Sequence, residues 1–151
     1  MPLPQKTSYT TDDIYSLPEG ERAELIDGKI YMMAPPGRMH QKLVMELSAT
    51  IRDYIRRKNG SCEVYPAPFA VFLNKDDKNY VEPDISVICD KSKLTDKGCN
   101  GAPDWIIDPA NNMVHAYFFS DPEDFRQFSF SATAYVGIFK ELELCIADLL
   151  K

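Results

Sequence analysis

A Pro-Asp pair interrupts a run of apolar and β-branched residues, Tyr-Val-Glu-Pro-Asp-Ile-Ser-Val-Ile-Cys, that begins at Tyr80. The run predicts a buried strand, in which successive side chains point to opposite faces of the sheet. Glu82 and Asp84 then share one face, while Ile85 and Val87 lie on the other. Two neighbouring carboxylates repel each other, so they require a cation, a bound proton or a cleft open to water. The pair indicates a candidate site for a divalent metal.

Pro83 allows a second interpretation of the same segment. Within sheets, proline is confined to edge strands, strand starts and bulges, because it has no N–H to donate. Asp84 would then be an exposed or capping acid. The segment alone leaves both interpretations open.

The residues upstream predict a hairpin followed by a helix. Two short apolar runs, at 22–26 and 29–33, are joined by Asp27-Gly28, which is a strong type I′ hairpin signal. From about Arg38 to Lys58, apolar residues recur at helical spacing, and basic residues crowd the last turns, where they suit the negative end of the helix dipole. Further strand-like runs follow as far as the Pro-Asp segment.

Several motifs, in this order, resemble the Uma-two family, a large bacterial group associated with nucleases. The motifs that carry the resemblance are Glu24 to Tyr31, Met33 to Pro36, His40-Gln41, Glu82 to Val87, and Gly101 to Ile107. The resemblance implies an α/β (α+β) protein of restriction-endonuclease-like fold, with a mixed sheet flanked by helices, an N-terminal β-hairpin and a strand-rich C-terminus. It also implies a PD-(D/E)XK-type site that binds Mg²⁺ or Mn²⁺ and acts on DNA. Glu24 and Asp84 would be two of its catalytic and metal-binding acids, and His40 matches a family position near the cleft.

The sequence departs from the family pattern after Ile107. Family members continue this strand into a segment with the next catalytic acid, then a helix with a Lys, then a second strand that ends in Asp-Pro. Here Ile107 runs directly into Asp108-Pro109, as if the intervening segment were absent. Three explanations remain open: an internal deletion in a natural protein, a segment left out of the sequence as given, and an engineered deletion.

Asp108 is the only acid left near the expected position, and no Lys occurs between Lys97 and Lys140. Asp108 could replace the missing ligand, and Glu82 is a further candidate ligand. The alternative for Asp108 is a plain turn, since Asp-Pro is followed by Ala-Asn-Asn. We expect Glu24 and Asp84 on neighbouring strands of one sheet, facing a common cleft, with the 38–58 helix packed across that sheet.

Composition bounds these interpretations. A chain of 151 residues with 44% hydrophobic content is most simply a single domain. The net charge of −6 argues against broad affinity for DNA, although a local basic patch or a bound metal can offset it. No stretch resembles a membrane span or a signal peptide.

The four cysteines, Cys62, Cys89, Cys99 and Cys145, show no CxxC spacing, which favours free thiols in a reducing cytoplasm over disulfides or zinc ligands. Phe- and Tyr-rich strands near the C-terminus predict a homodimer.

Two functions follow for the chain: a metal-dependent endonuclease with an incomplete site, or a noncatalytic nuclease-like module for interaction or dimerisation.

Overall fold

The computed structural model describes residues 5–110, 113–118, 125–129, 133–136 and 139–151. Its helices are α1 (Thr11–Tyr15), α2 (Arg38–Arg57) and α3 (Ile146–Leu149), with a 3₁₀ turn at Lys91–Lys93. The strands are β1 (Ala23–Ile26), β2 (Lys29–Met32), β3 (Glu63–Pro66), β4 (Ala70–Phe72), β5 (Ile85–Ile88), β6 (Leu94–Thr95), β7 (Gly98–Asn100), β8 (Trp105–Ala110), β9 (Met113–Phe118), β10 (Phe125–Ser129), β11 (Thr133–Val136) and β12 (Phe139–Cys145). None of the helices in these ranges combines the length and the hydropathy of a membrane-spanning segment.

The largest sheet has the strand order β10-β9-β8-β5-β3, and all of its pairings are antiparallel. A smaller sheet, β4-β7-β6, contains the parallel pairing of β4 with β7. Strands β1 and β2, and strands β11 and β12, form separate antiparallel pairs.

Helix α2 packs across the large sheet, as its apolar spacing predicts. Leu43, Leu47 and Ile51, at intervals of one turn, are at most 1% exposed. They pack into one core with residues of β5, β8 and β12: Ile85, Val87, Trp105, Ile107, Leu142 and Leu144. This core fixes the position of α2 over β5 and β8.

The hairpin forms where the Asp-Gly signal predicts it. Asp27 and Gly28 have φ angles of 49° and 75°, the left-handed conformation that a type I′ turn requires at both central positions. A Cβ on Gly28 would lie 2.3 Å from the Ser8 hydroxyl oxygen, so only glycine fits there. The hairpin rests on a second core that contains Ile14, Leu25 and Tyr80.

The Pro-Asp segment is not a single strand. Tyr80 and Val81 form isolated bridges to Leu25 and Val71, and β5 begins only at Ile85, after Pro83. Proline cannot donate to a β ladder, so the chain changes partners there. The expectation that Glu24 and Asp84 lie on neighbouring strands of one sheet is therefore wrong.

Strand β5 is buried along its whole length, as its run of apolar and β-branched residues predicts. Ser86 and Ile88 are as completely buried as Ile85 and Val87, because β5 is a central strand with both faces covered.

Strand β8 runs without interruption through Ile107 and Asp108. It pairs with β5 on one side and with β9 on the other. Asp108 and Pro109 are therefore strand residues rather than a turn, and Asn111 and Asn112 lie outside the described residues.

The expectation of free thiols is wrong for two of the cysteines. Cys62 and Cys89 form a disulfide, with their Cα atoms 4.0 Å apart, while Cys99 and Cys145 are free. The register pairs Glu63 with Ile88, which puts the next residues, Cys62 and Cys89, opposite each other. Four free thiols were the reason to expect a reducing cytoplasm, and the disulfide removes that reason.

Candidate functional site

A cleft of about 580 Å³ lies between the β1–β2 hairpin, the segment that leads into β5, and strand β8. All four of the predicted acids line it: Glu24, Glu82, Asp84 and Asp108. The other lining residues are apolar: Ile26, Met33, Leu73, Val81, Pro83 and Ile106. The cleft is thus an apolar depression with carboxylates along it.

Asp84 is held in place by contacts on both sides. Its Oδ2 atom lies 2.9 Å from Nε2 of His40, in the first turn of α2. Its carbonyl oxygen accepts a hydrogen bond from the N–H of Ala67 at 2.9 Å. The side chains of His40 and Asp84 are 26% and 24% exposed, so the contact remains within reach of solvent.

Asp108 meets Asp84 because of the sheet register. Ile85 of β5 pairs with Ile107 of β8, so the preceding and following residues, Asp84 and Asp108, face each other at the edge of the ladder. The N–H of Asp84 donates to Oδ1 of Asp108 at 3.0 Å.

Glu24 reaches the same cleft from the hairpin. Its Oε1 atom accepts a hydrogen bond from the N–H of Glu82 at 3.1 Å. The hairpin and the segment that leads into β5 therefore both supply acids to a common cleft, although β1 and β5 belong to different sheets.

Glu82 has a different environment. Its Oε2 atom lies 2.6 Å from Nε and 2.5 Å from Nη2 of Arg22, and its Oε1 atom accepts a hydrogen bond from the Tyr80 hydroxyl at 2.6 Å. Burial, followed by the contact with Glu82, raises the pKa of Tyr80, so that its hydroxyl stays protonated and donating. Both oxygens of Glu82 are thus occupied by protein donors, and Arg22 offsets its charge.

The cleft brings together acids from distant parts of the sequence. In the described ranges, however, no three His, Cys, Asp or Glu side chains form a group that could hold a metal ion. No Lys or Arg lines the cleft in that part of the chain either. Sequence reasoning did not single out Arg22, whose contact with Glu82 spans 60 positions and has no local signal.

Helix α2 packs on the large sheet, and acids lie just before β5, around the Pro-Asp pair. The protein is an α+β protein of the restriction-endonuclease-like fold. The chain belongs to the Uma2 (Uma-two) family, whose model, described as "Putative restriction endonuclease", matches residues 11–108. The match ends at Asp108, where the sequence departs from the family pattern.

The fold is also that of a solved structure, the crystal structure of a putative nuclease belonging to DUF820 from Anabaena variabilis. The two chains are 22% identical, with a TM-score of 0.65, and the comparison covers 93% of this chain and 97% of the other. No curated protein matches the chain.

Proposed function

We propose that this chain is a metal-dependent endonuclease domain that acts on DNA, with the acidic cleft as its site. One observation carries the proposal: Glu24, Asp84 and Asp108 line a single cleft in a protein of a nuclease family. Converging carboxylates repel each other, and a divalent ion bound between them offsets that repulsion.

The carboxylate oxygens of the cleft are the type of ligand atom that Mg²⁺ and Mn²⁺ bind. Both ions prefer oxygen ligands, and Mg²⁺ keeps several waters while binding one or two carboxylates and a phosphate, so it does not require a complete protein cage. We assign Asp84 and Glu24 as the ligands and Asp108 as a third acid beside them. Glu82 fits less well, because Arg22 and Tyr80 already occupy its oxygens. A cation held there would offset phosphate charge and lower the pKa of a bound water.

The chain itself orients these acids. His40 holds Oδ2 of Asp84, the Asp84 N–H holds Oδ1 of Asp108, and the Glu82 N–H holds Oε1 of Glu24. Among the residues that the structure describes, the second oxygens of Asp84 and Glu24 have no hydrogen-bond partner, so both can face a ligand in the cleft. Fixed carboxylates lose less freedom when they bind a cation.

We expect the 151-residue chain to cleave DNA poorly. Phosphodiester hydrolysis needs a held water and charge stabilisation as well as a metal, and the described lining of the cleft supplies no Lys or Arg. Restoring the acid- and Lys-bearing segment of a family member after Ile107 would divide β8 into the two strands of the family pattern, and we expect that longer form to be a nuclease.

The test compares Mn²⁺ binding and plasmid nicking by the short chain, the chain with the inserted segment, and Asp84→Ala in each. Asp96→Ala, which removes an exposed carboxyl elsewhere, is the matched control. We expect weak Mn²⁺ binding by the short chain, lost in Asp84→Ala only, and nicking by the longer form that depends on Asp84. Robust, Asp84-dependent nicking by the short form would show that Asp108 or another residue completes the site. An absence of Mn²⁺ binding would overturn the metal site.

A second candidate function is a noncatalytic nuclease-like module for interaction or dimerisation. The observation that favours it is that the metal-ligand group is incomplete within the described ranges. Binding of Mn²⁺ or DNA without nicking by either form of the chain would support it.

We also propose that the protein forms a homodimer. Nuclease-like folds commonly act as pairs on duplex DNA, and exposed apolar side chains such as Met32 and Met45, which are 55% and 67% exposed, offer surface for association. Light scattering at micromolar concentration tests this, and a monomer mass would refute the homodimer.

A further inference from the structure

Helix α2 has a charge that contrasts with the rest of the chain. Its 20 residues hold five Lys or Arg and two acids, in a protein with a net charge of −6. Three of the five, Arg52, Arg56 and Arg57, lie in its C-terminal half. The helix therefore carries a local positive region at the end away from the acidic cleft.

Two surface grooves flank Arg56. One, of about 300 Å³, is lined by Arg52 and Arg56 of α2, by Lys91 of the 3₁₀ turn, and by residues 60–65. The other, of about 430 Å³, is lined by Thr50, Asp53, Arg56 and Arg57. We call these two depressions together the basic groove.

Cations outnumber acids in the basic groove by four to two, counting Glu63 and Asp53. Arg52 lies 3.3 Å from Asp53, and Lys91 lies 3.9 Å from Glu63, whose carboxylate also accepts a hydrogen bond from Tyr65. Arg56 and Arg57 make no ion pair with any residue that the structure describes. Both are therefore available to an external anion.

The helix dipole does not account for this arrangement by itself. Cations in the last turn of a helix gain about 0.3–1 kcal/mol from the dipole, which explains Arg56 and Arg57. Lys91 belongs to a separate element beyond β5, and Arg52 lies before the last turn. Cations from two elements thus converge on one surface.

We infer that the basic groove binds the phosphate backbone of a nucleic acid whose scissile region lies at the acidic cleft. From His40 at the cleft to Arg56 is 16 helical positions, or about 24 Å, which corresponds to about seven base pairs of duplex. A duplex of about 20 base pairs is thus long enough to extend from the cleft to the basic groove. The inference rests on the proposed function for the choice of nucleic acid as the partner.

The test measures binding of a labelled duplex of about 20 base pairs in EDTA, at about 50 to 200 mM NaCl. Arg56→Ala is expected to weaken binding about fivefold and to lower the slope of log K against log [NaCl] by about one, the effect of one lost phosphate contact. Arg56→Lys should preserve the slope. The control, Lys97→Ala, removes an exposed cation from the β6–β7 turn and should leave both quantities unchanged.

Equal binding by Arg56→Ala and Lys97→Ala, with unchanged thermal unfolding, would overturn the inference. So would an absence of duplex binding by the wild-type chain, or competition by polyglutamate as strong as that by DNA, which would indicate an acidic protein partner.

The EDTA assay separates this inference from the proposed function. In EDTA no divalent cation is held at the cleft, so a loss of duplex binding in Arg56→Ala reports on the basic groove and not on the metal site. Duplex binding that depends on Arg56, without Mn²⁺ binding or nicking, would leave the inference standing and reject the nuclease. Asp84-dependent nicking with no effect of Arg56→Ala would reject the inference alone.

Discussion

Nε2 of His40 lies 2.9 Å from Oδ2 of Asp84, a contact between residues 44 positions apart that joins the first turn of α2 to the start of β5. It orients the acid that we assign as the central ligand. Helix α2 is anchored on the sheet by its own buried face, so this contact is not needed to hold the helix in place.

We therefore expect His40→Ala to weaken Mn²⁺ binding about tenfold, as the loss of a partner that orients a ligand does, with a change in unfolding free energy below about 1 kcal/mol. Isothermal titration with Mn²⁺ and urea denaturation measure the two effects. Lys42→Ala, at an exposed position two residues after His40, is the control. Unchanged Mn²⁺ affinity in His40→Ala would show that His40 does not position Asp84.

The ion pair of Arg22 with Glu82 gives a prediction about stability. Glu82 is 9% exposed and Arg22 is 34% exposed, so Arg22→Met leaves a nearly buried carboxylate without its cation. We expect a loss of about 2 kcal/mol in unfolding free energy, less than for a fully buried pair because Arg22 is partly solvated. Urea denaturation of Arg22→Met, Glu82→Gln and the double variant measures the coupling. Additive effects of the two substitutions would contradict the pair's role.

Local patterns in the sequence predicted the elements that depend on local forces. The apolar residues of α2 repeat at intervals of one helical turn, and Asp27-Gly28 has the conformation that its turn type demands. The motifs around Glu24 and Asp84 predicted the family and the fold class, both of which are confirmed.

Contacts across the sheets could not be predicted in the same way. Strand register is set by packing between distant segments, so the opposition of Cys62 to Cys89 and of Asp84 to Asp108 has no local signal. The pairings change at Pro83, so Asp84 lies just before β5, in a different sheet from the β1 strand that holds Glu24, while both acids line the same cleft.

Asp76 gives a prediction about acid stability. Its Oδ1 atom accepts hydrogen bonds from the N–H groups of Lys78 and Asn79, both at 2.9 Å, and Asn79 in turn accepts one from the Asp27 N–H in the hairpin turn. The hydrogen bond from Lys78, followed by those from Asn79, lowers the pKa of Asp76 in the folded protein. Its stabilising contribution is then present above the unfolded pKa and is lost as the pH falls through the folded value.

We expect the melting temperature of the wild type to fall between about pH 5 and pH 3, and this fall to be smaller in Asp76→Asn, which lacks the titrating carboxylate. Thermal unfolding followed by circular dichroism at several pH values measures it. Asp77→Asn, an exposed neighbour, is the control and should keep the wild-type profile. Identical acid profiles for Asp76→Asn and the wild type would contradict the role of Asp76.

The disulfide between Cys62 and Cys89 joins the edge strand β3 to the central strand β5, across a sequence separation of 27. A cross-link of that span limits the unfolded chain, so reduction is expected to lower the unfolding free energy by about 3 kcal/mol. Urea denaturation with and without a phosphine reductant tests this, and a Cys62→Ala/Cys89→Ala variant should resemble the reduced wild type and show no response to reductant.

Non-reducing peptide mapping should recover Cys62 and Cys89 in one linked peptide. Recovery of both as free thiols, together with equal stability in the two conditions, would show that the opposed cysteines do not bond, and free thiols would again be the correct description.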